Sequence, residues 1–149
     1  MVFKVANTYA RHPEDRADLA QEIAAQLWRA FPAYDPGRSF STWMYRIALN
    51  VAISHMRSAT RHAAHNVPLD DQLHETVGDH RAADGDADER VRALYDFIEG
   101  LEALNRALLL LYLEEHTYSD IAGILGITET NVATKISRLK QRIRSEMKG

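Results

Sequence analysis

Thr130, Asn131, Thr134, Lys135, Ser137, Arg138 and Lys140 lie close together near the C-terminal end of the 149-residue chain. Hydroxyls, an amide and cations are the groups that reach phosphate oxygens and base edges in a major groove. Residues 131–149 hold six Lys/Arg against one acid, Glu146, although the chain as a whole has a net charge of −3. A basic end on a mildly acidic protein suits contact with a polyanion. Just upstream, Gly126 and Val132 follow Ala122 at offsets of four and ten. Two helices that cross steeply need a small residue at the crossing, a turn residue free to take positive φ and an apolar anchor in the second helix. Ala122, Gly126 and Val132 supply these, and Ile121, Leu125, Ile127 and Ile136 complete the core of a helix-turn-helix. The competing reading is a plain helical hairpin with a solvated basic face. The charge excess and the turn spacing together argue against it.

Other chemistries find no support. With no Cys there is no disulfide framework, no thiolate zinc site and no thiol nucleophile. The chain has seven His, and His62 and His65 are spaced i, i+3, with His74 and His80 further on. They fall in a low-complexity stretch without the scaffold that tetrahedral metal geometry requires, so solvated histidines are expected and no metal or cofactor. A Gly-rich phosphate loop, a nucleophile–base set and a Glu pair on one face are all missing, which argues against an enzyme. The richest apolar run, Ala107 to Leu113, is far shorter than the ~20 residues of a membrane helix. The first residues lack the pattern of a signal peptide. A cytoplasmic protein without membrane insertion follows by elimination.

The elements that must position these groups are helices. Leu19, Ile23, Leu27 and Phe31 form an i, i+4 stripe that predicts a helix over Asp15 to Phe31. Pro32 and Asp35-Pro36-Gly37 then break the chain into a loop. A second helix is expected from about Ser41 to Arg57. It is apolar on nearly every side, so it is either central to its bundle or covered on its second face by a partner. The segment from about Ser58 to Arg90 lacks a sustained apolar period. Residues 61–90 carry 3 Lys/Arg against 8 Asp/Glu, and the segment reads as an irregular acidic linker. One long helix is expected from about Val91 to Glu115, with Leu94, Ile98, Leu101, Leu104, Leu108 and Leu111 on one side. A short helix over Tyr118 to Leu125, opened by Thr117 and Asp120, and a final one over Glu129 to Met147, capped by Thr128, complete the chain. The expected fold is all-α: two small helical domains, residues 1–58 and 91–149, joined by a flexible acidic linker over 59–90.

Two separated segments carry a family resemblance. Asp18-Leu-Ala-Gln-Glu22, Trp28-Arg-Ala-Phe31 and Tyr34-Asp-Pro-Gly-Arg-Ser-Phe-Ser-Thr-Trp-Met-Tyr-Arg-Ile-Ala-Leu-Asn50 resemble region 2 of the extracytoplasmic-function sigma factors. Leu104-Asn-Arg-Ala-Leu-Leu-Leu-Leu-Tyr-Leu113 and the stretch from Tyr118 to Val132 resemble their region 4. The likeness implies a bacterial promoter-recognition subunit that binds core RNA polymerase and promoter DNA, and that an anti-sigma factor holds inactive. It assigns Asp18, Gln21 and Glu22 to the polymerase, where charged pairs set register and association rate more than affinity. It assigns the basic face of the last helix to the −35 element.

The loop from Ala33 to Thr42 and the helix after it resemble the part that reads and melts the −10 element. Unstacked bases need aromatic faces, which contribute ~1–3 kcal/mol per base. Phe40, Trp43 and Tyr45 fit that role, with Arg46, Asn50 and Arg57 available to backbone or base edges. Phe40 and Trp43 have a second reading as core residues, the stronger one for Trp43. Ser41 and Leu49 stand where relatives often carry Arg, and Ala133 where they often carry Lys. Relatives usually carry most of another helix before the position matching Val2-Phe3-Lys4, which is expected of a trimmed chain, a mis-set start codon or a shortened first helix alike. The rival reading is a stand-alone helix-turn-helix regulator, which accounts for the C-terminal block but leaves the Asp18 to Asn50 pattern without a purpose.

Overall fold

The computed structural model describes the backbone of residues 1–65 and 86–147, with side chains described outside 60–88. Seven α-helices occur among the described residues: α1 (Val2–Tyr9), α2 (Pro13–Ala30), α3 (Phe40–His65), α4 (Asp86–Glu99), α5 (Ala103–Leu113), α6 (Tyr118–Leu125) and α7 (Glu129–Met147). The described residues are all-α, as the periodicities predict.

Local chemistry sets most boundaries. Pro13 opens α2 at a position where its missing N–H costs nothing, and Glu14 and Asp15 sit in the first turn where the helix dipole favours acids. A 3-10 turn over Phe31–Ala33 follows. Ser39 Oγ accepts a hydrogen bond from the Thr42 N–H (3.3 Å) at the start of α3. Thr117 Oγ1 accepts from the Asp120 N–H (3.0 Å), and Thr128 Oγ1 from the Asn131 N–H (3.1 Å), capping α6 and α7 as expected. Between them Gly126 takes φ 72°, the left-handed turn conformation that glycine adopts without strain.

Three differences from the sequence reading matter. α3 runs to His65, eight residues past Arg57, because extending an existing helix adds a hydrogen bond for each residue ordered. The helix expected from Val91 to Glu115 is two helices. The chain breaks over Gly100 to Glu102: the Gly100 N–H bonds back to the Asp96 and Phe97 carbonyls, and Leu101 turns in to 2% exposure. The linker histidines His62, His65, His74 and His80 lie outside the described side chains.

The third difference is that the two halves touch. α1, α2 and α3 pack together, as do α5, α6 and α7, and α1 and α3 pack in turn on α5, with α3 also on α6. The buried apolar residues form one cluster, from Val5 and Leu49 through Leu108 and Ile121 to Ile136. The Tyr9 hydroxyl donates to the Ala103 carbonyl (2.6 Å), Arg106 Nη1 donates to the Thr8 carbonyl (3.2 Å), and Lys4 Nζ lies 2.8 Å from Glu114 Oε1. The helix expected to be central or partner-covered is central: α3 lies between its own bundle and the C-terminal half of the same chain.

Two consequences can be measured. Glu115 ends α5 at φ 65°, a conformation that costs a side-chain-bearing residue ~1 kcal/mol or more, whereas Gly126 at φ 72° is free of it. Glu115→Gly should therefore stabilise the fold by about 1 kcal/mol and Gly126→Ala should destabilise it by a similar amount. Urea unfolding midpoints moving in any other direction would contradict this. The second concerns pH. Burial pushes up the Tyr9 and Tyr45 phenols, and the hydrogen bond and charge of Glu114 raise Lys4. A proton held more tightly in the folded state stabilises it fully below the unfolded pKa, and the gain is lost as pH rises through the folded value. The unfolded values being 10.0 for Tyr and 10.5 for Lys, stability should stay level to about pH 10 and fall above it. Tyr9→Phe should flatten that fall, and urea midpoints that stay constant across this range in the unsubstituted chain would refute the account.

Candidate nucleic-acid and polymerase surfaces

α7 divides its residues between packing and solvent. Val132, Ile136 and Leu139 are buried against α5 and α6. The opposite side presents Thr130, Asn131, Thr134, Ser137 and Arg138 to solvent, with Lys135 half-buried beside them. Neither Lys135 nor Arg138 has an ion pair or ring contact among the described residues. A face of hydroxyls, an amide and unpaired cations on a helix held by a left-handed turn is the arrangement that enters a major groove.

Lys140 departs from the expectation. Its ammonium sits 4.8 Å from the centroid of the Tyr112 ring on α5, and the hydrogen bond to Tyr112 raises its pKa. Arg142 likewise lies 5.6 Å over the Phe97 ring of α4. These cations brace α7 against α5 and α4, so not all of the basic excess is free for DNA.

The second surface is a wall of aromatic rings at the α2–α3 junction. Tyr34 lies 5.0 Å from Trp43 and 5.4 Å from Phe40, Phe40 lies 5.5 Å from Trp43, and Phe31 lies 6.3 Å from both Tyr34 and Trp43. The loop before α3 is held by its own bonds. The Tyr34 hydroxyl donates to the Arg38 carbonyl (2.8 Å), and the Gly37 N–H donates to Asp35 Oδ1 (2.9 Å). Phe31 is 58% exposed and Phe40 48%, while Trp43 is half-buried. Arg46, Asn50 and Arg57 follow on α3, all exposed. A small apolar cleft of about 310 Å³ opens beside the wall, lined by Leu27, Trp28, Phe31, Phe40, Trp43 and Met44 among others.

Tyr45 is not part of this wall. It is 8% exposed and meets the His116 ring edge-on, with centroids 4.9 Å apart, because α3 turns that side toward the C-terminal half. The expectation that it stacks on bases fails in this arrangement.

The third surface is the exposed face of α2. Asp18, Gln21 and Glu22 all reach solvent, and Leu19, Ala20 and Ile23 turn inward. Trp28 is 83% exposed. It lies two turns beyond Gln21, about 10 Å along the axis, on the same side of the helix. Sequence reasoning passed over it, and over the exposure of Phe31, which the apolar stripe places inside. The available signal was that a Trp seven residues after Gln21 shares its face.

Comparisons with known proteins agree in both halves. The family description "Sigma-70 region 2" matches residues 1–62 and "Sigma-70, region 4" matches residues 91–143. The "ECF RNA polymerase sigma-E factor" of Haemophilus influenzae is 29% identical, over 97% of this chain and 82% of its own. The "RNA polymerase sigma-H factor" of Pseudomonas aeruginosa is 28% identical, over 91% and 74%. Among solved structures, the sigma factor RpoE of Bartonella quintana, in complex with the anti-sigma factor NepR, superposes with a TM-score of 0.69. That match has 21% identity and covers 99% of this chain and 89% of the other.

The two kinds of cation on α7 can be told apart. Arg138→Ala should weaken duplex binding and, if the contact is to phosphate, reduce the salt slope by about one; a base contact should instead relax one position by ~1–3 kcal/mol. Lys140→Ala should leave the slope nearly unchanged and lower thermal stability. Equal losses of DNA affinity from both would show that Lys140 belongs to the recognition face.

Proposed function

The chain belongs to the sigma-70 family, in its extracytoplasmic-function group, and we propose how its surfaces divide the work of directing core RNA polymerase to promoters. The reading rests most on one observation: a helix-turn-helix whose outer face is unpaired stands on the same chain as an exposed aromatic wall flanked by cations.

The face of Thr130, Asn131, Thr134, Lys135, Ser137 and Arg138 reads the −35 element. Lys140 orients that helix through Tyr112. The loop from Ala33 to Thr42 with Phe40 and Trp43 receives unstacked bases of the −10 element. Extruding a base costs a few kcal/mol, and stacking on aromatic faces with hydrogen bonds to base edges offsets that cost. Arg46, Asn50 and Arg57 hold the strand along α3. Asp18, Gln21 and Glu22 face the polymerase, and Trp28 extends the same face with a large apolar ring, the residue type most enriched among interface anchors. The protein itself carries out no covalent chemistry, acts in the cytoplasm with the polymerase, and has an anti-sigma factor as its regulating partner. Among the described residues no helix is long and apolar enough to cross a membrane.

Transcription from a promoter library by purified core polymerase plus this chain tests the reading. Initiation should depend on the chain. Exchanging residues 33–42 for a relative's loop should change the preferred −10 base and leave the −35 preference in place. Asp18→Arg with Glu22→Arg should abolish co-purification with core polymerase while helical content stays intact. Trp28→Ala should weaken it by roughly tenfold or more, as for an interface anchor. Unchanged co-purification of the double variant would remove α2 from the interface.

A further inference from the structure

We infer that the cleft enclosed by α1 to α5 is a binding site for a small monoanionic amphiphile: a carboxylate head meets Arg106 and Arg16, and an apolar body lies on Met56, Tyr95, Ile98 and Leu113. The site is independent of the proposed DNA and polymerase surfaces, since none of their residues lines it.

Charge gives the first argument. Arg106 lines the cleft and is buried, and a charge at that depth is ordinarily balanced by an opposite one. Here its nitrogens donate only to main-chain carbonyls, those of Leu101, Thr8 and Glu99. Among the described residues no carboxylate lies within ion-pair distance of it, and the Glu99 carboxylate sits 3.5 Å from Arg11 instead. Carbonyl dipoles hold the guanidinium without cancelling its charge, and burial pushes its pKa below the ordinary value. Arg16 is a second unbalanced cation. Its Nε donates to the Ala10 carbonyl (2.9 Å), which fixes the group, and it has no ion pair among the described residues.

The balance of charges selects the ligand. The lining carries Lys4, Arg11, Arg16 and Arg106 against Asp15, Glu99 and Glu114, with His55 beside them. Lys4 is spent on Glu114 at 2.8 Å, as Arg11 is on Glu99. The surplus is a single positive charge, which one carboxylate balances. A nucleotide or polyphosphate would set its further charges against the three acids. A carboxylate also matches the planar fork of an arginine.

Shape supplies the body. The cleft encloses about 760 Å³, within the ~300–1,000 Å³ of small-molecule sites. Its apolar lining comes from Met56 of α3, Tyr95 and Ile98 of α4, and Leu113 of α5. Tyr95 and Leu113 are each more than half exposed, so a hydrocarbon or aryl body would remove apolar surface from water. The unbranched thioether of Met56 adapts to such a body.

Calorimetric titration of the full chain with decanoate tests this, with decyltrimethylammonium as the chain-matched cation. Decanoate should bind at one saturable site and raise the melting temperature by linkage, and the cation should bind roughly tenfold more weakly or worse. Equal affinities would show a merely apolar patch and overturn the proposal. Leu113→Asp, at an exposed position, should weaken decanoate by roughly tenfold by placing an acid against its body, and an unaltered affinity would overturn the assigned wall. Arg106→Gln should weaken it as much. Because that residue is buried and the variant is prone to unfold, NMR of the unsubstituted chain supplies the second readout: the Arg106 Nε–H resonance should shift in step with occupancy. Shifts confined to Trp28, Phe31 and Trp43 would place decanoate on the aromatic wall and overturn the site. Absence of binding up to the onset of micelles would do the same.

Discussion

Arg106 is the one charged side chain buried among the described residues, at 8% exposure. A buried cation is tolerable only when its donors are matched. Here they are matched by main-chain carbonyls at helix ends. Nε donates to Leu101 (3.2 Å), Nη2 to Glu99 and Nη1 to Thr8 (3.2 Å). Burial pushes its pKa below the ordinary value, and the Tyr9 phenol and Glu99 oppose that. The carbonyls need the arginine as much as it needs them. Glu99 and Leu101 border the break between α4 and α5, and Thr8 lies in the last turn of α1, so one guanidinium satisfies the ends of two helices from opposite halves of the chain.

That arrangement explains which parts of the fold were legible in the sequence. α6 and α7 were readable to their ends because their boundaries are written locally, in Thr117, Gly126 and Thr128. The α4–α5 break was not. Leu94 through Leu111 keep an unbroken helical stripe across it, and a lone glycine inside a stripe is ordinarily tolerated. What breaks the helix is the gain from turning Leu101 into the core and bonding the freed carbonyls to Arg106, both of which are tertiary.

The site residues show the same division. Thr130, Asn131, Thr134, Ser137 and Arg138 could be placed on an outer face because the buried positions of α7 repeat at helical spacing. Tyr45 could not be assigned, since α3 is apolar on several sides and its sequence does not say which side is left to solvent and which meets the C-terminal half. Phe31 belongs to the apolar stripe of α2 yet is exposed, because the chain leaves the α-helix at Ala30 and the ring joins the aromatic wall. Periodicity identifies a face only while the helix continues.

The packing of α7 ties its exposed polar face to the rest of the chain. Lys140 rests on Tyr112 of α5 and Arg142 on Phe97 of α4. α5 also carries Ala103, Arg106 and, just past its end, Glu114, whose polar groups meet α1. The helix that orients the exposed polar face of α7 is thus the helix that meets α1 and α3 of the other half.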